Sequence, residues 1–240
     1  MNKLIKKLTK KIFGHFGYHI YSIENQNNSY YEVFKKFEDY TMIPSHSFIE
    51  NLKLCKKYSF IKGDIAECGT WKGGMIAGIA EIMGNIDRTY YLFDSFEGLP
   101  LAKKVDGRAA ILWQNDTKSP TYLDNCSADI SHAEQAMNIA NAKDVKIIKG
   151  WFNQTLPLFK SNRGISILRL DGDWYDSILD CMNYLYPQVV KNGLIIIDDY
   201  YVWDGTSRAI HDYLTKINSS SKIYTLCNGI AYILKDEHNE

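Results

Sequence analysis

From residue 45 onward the chain alternates short apolar runs with longer amphipathic ones. The apolar runs are 64–70, 89–96, 145–150, 165–173 and 193–200. They are nearly continuous in Ile, Leu, Val, Tyr and Phe, the pattern of strands covered on both faces of a parallel sheet. Between them lie segments with helical period, at 45–60, 73–84, 129–142, 176–190 (interrupted near Pro187) and 206–218. Residues 222–236 read as a hairpin with Asn228-Gly229 at its turn. The alternation predicts an α/β fold, a Rossmann-like doubly wound, mainly parallel sheet with a C-terminal antiparallel hairpin. Residues 98–128 are polar and irregular, with Pro120 near the end. Two units follow: an N-terminal helical extension, 1–44, and the main domain, 45–240. Within the extension, residues 2–16 form a Lys-rich amphipathic helix with Leu4, Ile5, Leu8, Ile12 and Phe13 near one face. It suits packing on its own body or a partner subunit, or a foot on an anionic membrane surface. Residues 23–30 read as a loop.

Composition narrows the classes. Lys plus Arg and Asp plus Glu each number 28 in 240 residues, a zero balance that argues against a nucleic-acid partner. No apolar run is long enough to span a bilayer, and the basic start lacks the apolar core of a secretory signal. Five scattered cysteines without a CxxC fit reduced thiols in the cytoplasm. Aromatic residues reach 13%. They serve either a packed core or a pocket with flat faces for a ring-bearing ligand.

In doubly wound sheets ligands sit outside the carboxyl ends of the strands. That rule places Glu67, Asp94, Gly150, Asp171 and Asp198 along one rim. The first loop, "AECGTWKGG", is neither a dinucleotide fingerprint nor a P-loop. Gly69 lets the backbone turn close to a ligand, and Glu67 can hold an ammonium group; a tight strand-to-helix connection is the structural alternative. Asp94 ends the second strand, where a ribose diol is held in nucleotide folds; a helix cap or solvated turn is its alternative. A glycine loop without a phosphate signature, beside a ribose acid, suggests an adenosyl ligand without phosphates, S-adenosylmethionine.

The unusual feature is that two apolar strands end in clustered acids. "ISILRLDGDWYDS" carries Asp171, Asp173 and Asp176, and "GLIIIDDYYVWDG" carries Asp198 and Asp199. Such clustering opposes folding unless something neutralises it. Asp171, Asp198 and Asp199 form a candidate hard-cation site, with Mg²⁺ its natural occupant. Asp173, or Asp171 itself, is the candidate base. The alternative has Asp198 and Asp199 as caps and Asp171 paired with Arg169 or Arg208. His132 and His211 are lone histidines on helical segments and read as structural.

"IAECGTWKGG", "YLFDSFEGLP", "GWFNQTLP", "LRLDGDWYDS" and "GLIIIDDY", in this order, resemble the macrocin O-methyltransferase (TylF-type) family over residues 40–215. The resemblance implies a class I, S-adenosylmethionine- and Mg²⁺-dependent methyltransferase acting on sugar hydroxyls. It places Glu67, Gly69 and Trp71 at the methionine end of the cofactor, Asp94 and Ser95 at the ribose, and Trp151 and Phe152 near the adenine. Thr41 and Met42 match an element that closes over the cofactor, and Asp171, Asp198 and Asp199 match metal ligands. Some relatives carry a histidine three residues after the first metal aspartate; here that position is Trp174, which leaves Asp173 as first choice of base. The resemblance also implies homo-oligomers built through N-terminal parts. Residues 98–128 match the family's mobile lid; the acceptor is left open among a glycan, a nucleotide sugar and a natural-product glycoside, and the basic N-terminal helix leans toward the inner membrane face as a peripheral contact. Two rivals remain: a D-x-D glycosyltransferase using Mn²⁺, and a non-catalytic adenosyl-binding protein.

Overall fold

Alternating burial along the chain translates into one sheet with a helical layer on each face. The computed structural model describes residues 29–84, 87–226 and 229–236. Five parallel strands carry the sheet: β1 Asp64–Cys68, β2 Tyr90–Asp94, β3 Val145–Lys149, β4 Ile165–Leu170 and β5 Val189–Ile197. β6 Ile223–Thr225 and β7 Ala231–Leu234 complete it, β7 antiparallel to both β5 and β6. The strand order is β3-β2-β1-β4-β5-β7-β6, so the chain reverses direction of travel between β1 and β4. β1 and β4 are buried along their whole lengths, as strands covered on both sides must be.

One face packs against α1 Ser29–Phe37, α2 Ser45–Lys57, α3 Gly74–Met83 and α5 Ile130–Ile139, through Phe37, Phe48, Leu52, Ile76, Ile79 and Met137. The other packs against α6 Tyr175–Leu185 and α7 Asp204–Lys216, through Ile178, Met182, Leu185, Ile210 and Tyr213. A further helix, α4 Gly107–Asn115, belongs to neither layer and covers the carboxyl rim of the sheet. Among the described residues no helix is long and apolar enough to cross a membrane.

At the opposite rim, Arg88 donates to the carbonyls of Ser59 (2.6 Å), Ile61 (2.7 Å) and Gly63 (3.0 Å) and to Ser166 Oγ (2.7 Å). These four bonds occupy both terminal nitrogens of the guanidinium and pin the strand starts. The carboxyl rim is built differently. Gly69 N donates to Phe93 O, Asp171 N to Cys68 O and Asp198 N to Leu170 O, each at 2.8–2.9 Å. The parallel ladder thus continues into the loops and delivers their side chains to a common edge.

Four expectations change. Residues 98–128 are not irregular: a 3₁₀ turn at Lys104–Asp106 leads into α4. The helix expected to 190 stops at Leu185, because Pro187 cannot continue it, and Val189 and Val190 open β5 instead. The helix expected from 206 starts at Asp204. Helix α1 was not foreseen, although Tyr30, Val33, Phe34 and Phe37 repeat at i, i+3, i+4 and i+7. The Lys-rich helix at 2–16 and Asn228 of the hairpin turn lie outside the described residues.

Candidate active site

A cavity of about 690 Å³ opens at the carboxyl rim, beyond the ends of β1 and β4, the expected place for a ligand. All five tryptophans of the chain line it: Trp71, Trp113, Trp151, Trp174 and Trp203. The chain's tryptophans are therefore spent on the pocket rather than on the sheet core.

The glycine loop follows β1. Gly69 has φ +83°, and a Cβ there would stand 1.7 Å from the Asp171 carbonyl oxygen. The glycine is needed because the first acid loop passes directly against it. Trp71, two residues on, holds φ 48°. A bulky residue at positive φ is strained, and such strain collects at functional sites. Asp94 secures this conformation: its Oδ2 accepts from Thr70 N and Trp71 N and its Oδ1 from Phe96 N, all at 2.7 Å. Burial pushes the Asp94 carboxyl above its ordinary pKa, and the three amides pull it back. Its Oδ1, with one bond accepted, retains a lone pair for a ligand hydroxyl. Ser95, by contrast, turns inward, donating to Gly98 O at 2.9 Å and accepting from Glu97 N at 3.1 Å.

Glu67, at the end of β1, is 1% exposed. Its Oε1 accepts from Arg169 Nη1 at 3.1 Å, while its Oε2 has no partner. Burial raises its pKa to about 7 despite Arg169. A small side cavity beside it is lined by Thr41, Met42, Trp71, Arg169 and Asp171. Thr41 Oγ1 accepts from Ile43 N at 3.1 Å, and Met42 is exposed at the mouth of the main cavity. Trp151 and Phe152, after β3, line its other side.

The acids converge as the sequence suggested, with a different internal pairing. Asp171, Asp173, Asp198 and Asp199 all line the cavity. Oxygens of Asp171, Asp173 and Asp199 lie within 4.8 Å of one another. Asp198 instead turns to Arg169, its Oδ1 2.9 Å from Nη2. That contact is an ion pair by distance but not a well-formed hydrogen bond, since Nη2 has no partner in hydrogen-bond geometry. Asp171 Oδ2 accepts from Arg169 Nη1 at 2.7 Å. Arg169, buried in mid-sheet, is therefore shared by three carboxylates. An arginine inside an apolar strand, in "ISILRLDGD", was the sequence signal for this hub.

Burial raises the pKa of Asp171 and Asp199 well above the carboxylate range, and their acidic neighbours add to the rise. The same causes raise Asp173 to about 7. Asp173 and Asp199 lie against each other, and each adds to the electrostatic pressure on its neighbours. Asp173 also has positive φ, at 56°. Trp203 Nε1 donates to its Oδ1 at 2.9 Å, and Thr206 Oγ1 donates to its carbonyl at 2.5 Å. The strand-end acids therefore crowd where a proton or a cation would relieve their repulsion.

The lid brings residues that sequence reasoning left unassigned. Asp106 is 2% exposed and accepts from Tyr175 N at 2.7 Å, capping α6 from another segment. Trp174 Nε1 donates to Pro100 O at 2.9 Å, and Trp71 Nε1 to Ser127 O at 3.0 Å. Trp113, Trp174 and Trp203 meet edge-on or tilted, with centroids 5.3–6.1 Å apart. His132 and His211 lie outside the cavity lining.

A family model for macrocin O-methyltransferase (TylF) matches residues 36–232. The chain belongs to the macrocin O-methyltransferase family. Among its relatives, demethyldecarbamoylnovobiocin O-methyltransferase of Streptomyces niveus is 31% identical over 188 residues, 74% of this chain and 69% of that protein. Mycinamicin III 3''-O-methyltransferase of Micromonospora griseorubida is 29% identical over 202 residues, covering 78% and 76%. The solved O-methyltransferase NovP superposes with a TM-score of 0.67 at 25% identity, over 98% of this chain and 99% of that one. A calicheamicin methyltransferase, 16% identical, shares the fold with a TM-score of 0.62 over 90% and 95%. This macrocin-type enzyme is an S-adenosylmethionine-dependent O-methyltransferase. The glycosyltransferase and non-catalytic readings fall with that assignment; the "DGD" motif is the first acid loop of a methyltransferase.

Proposed function

We propose that the chain methylates a sugar hydroxyl, with a divalent cation, Mg²⁺, at the acid loops. The relatives support the acceptor class: one acts on a dimethoxyrhamnosyl tetracenomycin and another on a mycinamicin. The observation that carries the reading is the convergence of four aspartates from the ends of β4 and β5 into the cavity that Asp94 and the tryptophans also line.

The residues fit both absent groups. The unpartnered Glu67 Oε2 suits an ammonium, Asp94 a ribose diol, and Trp151 and Phe152 a flat base. Thr41 and Met42 would close the methionine end together with Gly69 and Trp71. Asp171, Asp198 and Asp199 would hold the cation, with Asp198 exchanging Arg169 for it. Bound there, the cation supplies Lewis-acid stabilisation of the acceptor oxygen and S-adenosylmethionine the activated methyl group. Asp173, poised near neutrality and fixed by Trp203, takes the proton from the acceptor hydroxyl. The lid, latched through Asp106 and Trp174, orients the acceptor and excludes water.

The N-terminal part, 1–44, would serve as a cover over the cofactor through Thr41 and Met42, and for contact with a partner subunit or the inner membrane face in a cytoplasmic homo-oligomer.

Calorimetric titration of S-adenosylhomocysteine, with Mg²⁺ and then with EDTA, tests the base of the reading. Binding in both conditions, with methyl transfer to sugar acceptors abolished by EDTA, is expected. Turnover insensitive to EDTA would remove the metal, and absence of binding would remove the site assignment.

A further inference from the structure

We infer that the amino-terminal rim of the sheet, opposite the cavity, is a docking face for an anionic lipid bilayer. The zero balance of charge conceals a segregation along the strands. Eight aspartates and one lysine line the cavity at the carboxyl rim. At the other rim, segments 57–63, 84–89, 140–144, 159–164, 186–191 and 217–222 lead into strands, and 235–236 leaves β7. Together they carry nine lysines and arginines against three aspartates, Asp87, Asp144 and Asp236. Asp144 is engaged, accepting from Thr89 Oγ1 at 2.6 Å and lying 4.0 Å from Arg163. Asp64, the first residue of β1, is buried and accepts from Ser161 Oγ at 2.7 Å and Thr89 N at 3.0 Å.

This rim also displays an aromatic ring. Phe60 is 75% exposed, yet its neighbours in the chain are fixed. Arg88 holds the carbonyls of Ser59 and Ile61, and the Ile61 side chain is buried. The exposure is therefore built into the turn. Lys57 lies 5.2 Å over the Tyr58 ring, and Lys62 is exposed two residues beyond Phe60. Tyr58, Tyr232 and Tyr224 carry the patch to the sheet edge, with successive ring centroids 6.5 Å and 5.2 Å apart. Tyr224 is 44% exposed, and the exposed Lys222 stands two residues before it. Among the described residues, no ion pair engages Lys57, Lys62 or Lys222.

Lysines around an exposed phenylalanine suit an anionic bilayer. The ammonium groups meet the headgroups, while the ring enters the boundary with the acyl chains. A single-stranded nucleic acid would need open ring faces for successive bases, whereas Tyr224 and Tyr232 stack on each other. Docking by this rim turns the acid cavity away from the lipid, as its own charge requires. The orientation is independent of the acceptor and of the metal.

The test uses the full chain with vesicles of phosphatidylcholine, with and without phosphatidylserine. We expect sedimentation only with the anionic vesicles, weakened by salt. The double variant Lys57→Glu with Lys62→Glu should lose vesicle affinity at least tenfold, and Phe60→Ser at least threefold. S-adenosylhomocysteine affinity should stay within twofold in both, which certifies their fold. All five tryptophans line the cavity. Vesicles with brominated acyl chains should therefore leave the fluorescence of the unmodified protein unquenched, and Phe60→Trp should add a quenched component. Absence of binding to anionic vesicles overturns the inference, as does vesicle affinity within twofold of the unmodified protein in both variants. Quenching of the unmodified protein would place the cavity side on the lipid and overturn the orientation. Tighter binding of an oligonucleotide than of the vesicles at the same salt would assign the face to nucleic acid instead. The methyltransferase assignment stands in each case.

Discussion

Arg169 is the residue on which the acid site turns. It is 1% exposed and meets Glu67, Asp171 and Asp198, so its charge is what lets three carboxylates share the end of the sheet. Removing one partner of a buried ionic cluster leaves the others uncompensated, at a cost of about 3–5 kcal/mol. Arg169→Leu should therefore lower the urea midpoint by that equivalent; an unchanged midpoint would mean that protons alone satisfy the acids. The neighbours divide by role. Asp198→Asn should remove metal-dependent turnover and leave S-adenosylhomocysteine affinity nearly intact. Asp94→Ala should weaken that affinity, because the Thr70 and Trp71 amides lose their acceptor. Equal loss of both properties in both variants would refute the division. Much at this scale was legible: acids ending two apolar strands announced a cluster. Which acids pair was not legible, because Asp198 and Asp173 differ only in where the loop backbone aims them. Asp173 sits at positive φ, with Trp203 donating to it from a segment 30 residues away.

At the scale of elements, the glycine loop and the first acid loop behave as one piece. Gly69→Ala would force a Cβ into the Asp171 carbonyl and strain a positive φ, so both loops must shift. We expect a destabilisation of about 2–4 kcal/mol and loss of cofactor binding, read by thermal unfolding and calorimetry. The lid is coupled more gently. Asp106→Ala removes a cap from α6 and should cost about 1–2 kcal/mol. It should also speed proteolysis within 103–123 and raise the acceptor KM more than it lowers kcat. Proteolysis at the rate of the unmodified protein would show that the latch is dispensable. The strands were readable because double burial writes continuous apolar runs. Helix α4 was not, because "GRAAILWQN" is short and buries only Ala110, with Trp113 half-buried against Trp174 and Trp203. Helix α1 carried a full helical repeat, and its pattern was there to be read.

For the whole molecule, the acid rim sets the response to pH. Glu67 and Asp173 each have their pKa raised to about 7 by burial, far above that of an unfolded carboxyl. The native state therefore binds more protons than the unfolded state between about pH 4 and pH 7. Their contribution to stability is full below the unfolded pKa and is lost as pH rises through about 7. The loss is on the order of a few kcal/mol, since every tenfold gain in proton affinity on folding is worth about 1.4 kcal/mol. The melting temperature without ligands should fall from pH 5 to pH 8. Mg²⁺ with S-adenosylhomocysteine should restore it more at pH 8 than at pH 5, releasing protons as it binds. A melting temperature that rises across that interval would contradict the burial of these groups. The place of the site was implicit in the alternation of elements, because a doubly wound sheet binds ligands at the carboxyl ends of its strands, whereas the strand order was not, because the same alternation serves more than one order.

The lid is closed at its own base. Leu99 N donates to Asn125 O at 3.0 Å, and Asn125 Nδ2 returns a bond to Leu99 O at 2.7 Å, so the segment leaves and re-enters the domain at one spot. Gln114 ties the interior to the same stem through Pro100 O and Ala102 N. A segment joined in this way is a cassette. Chimeras that exchange residues 99–125 between relatives should retain the sheet, the acids and the cofactor pocket while trading one acceptor preference for another. In evolutionary terms, a new scaffold is reached by replacing a single stitched-in patch, with the catalytic frame inherited whole.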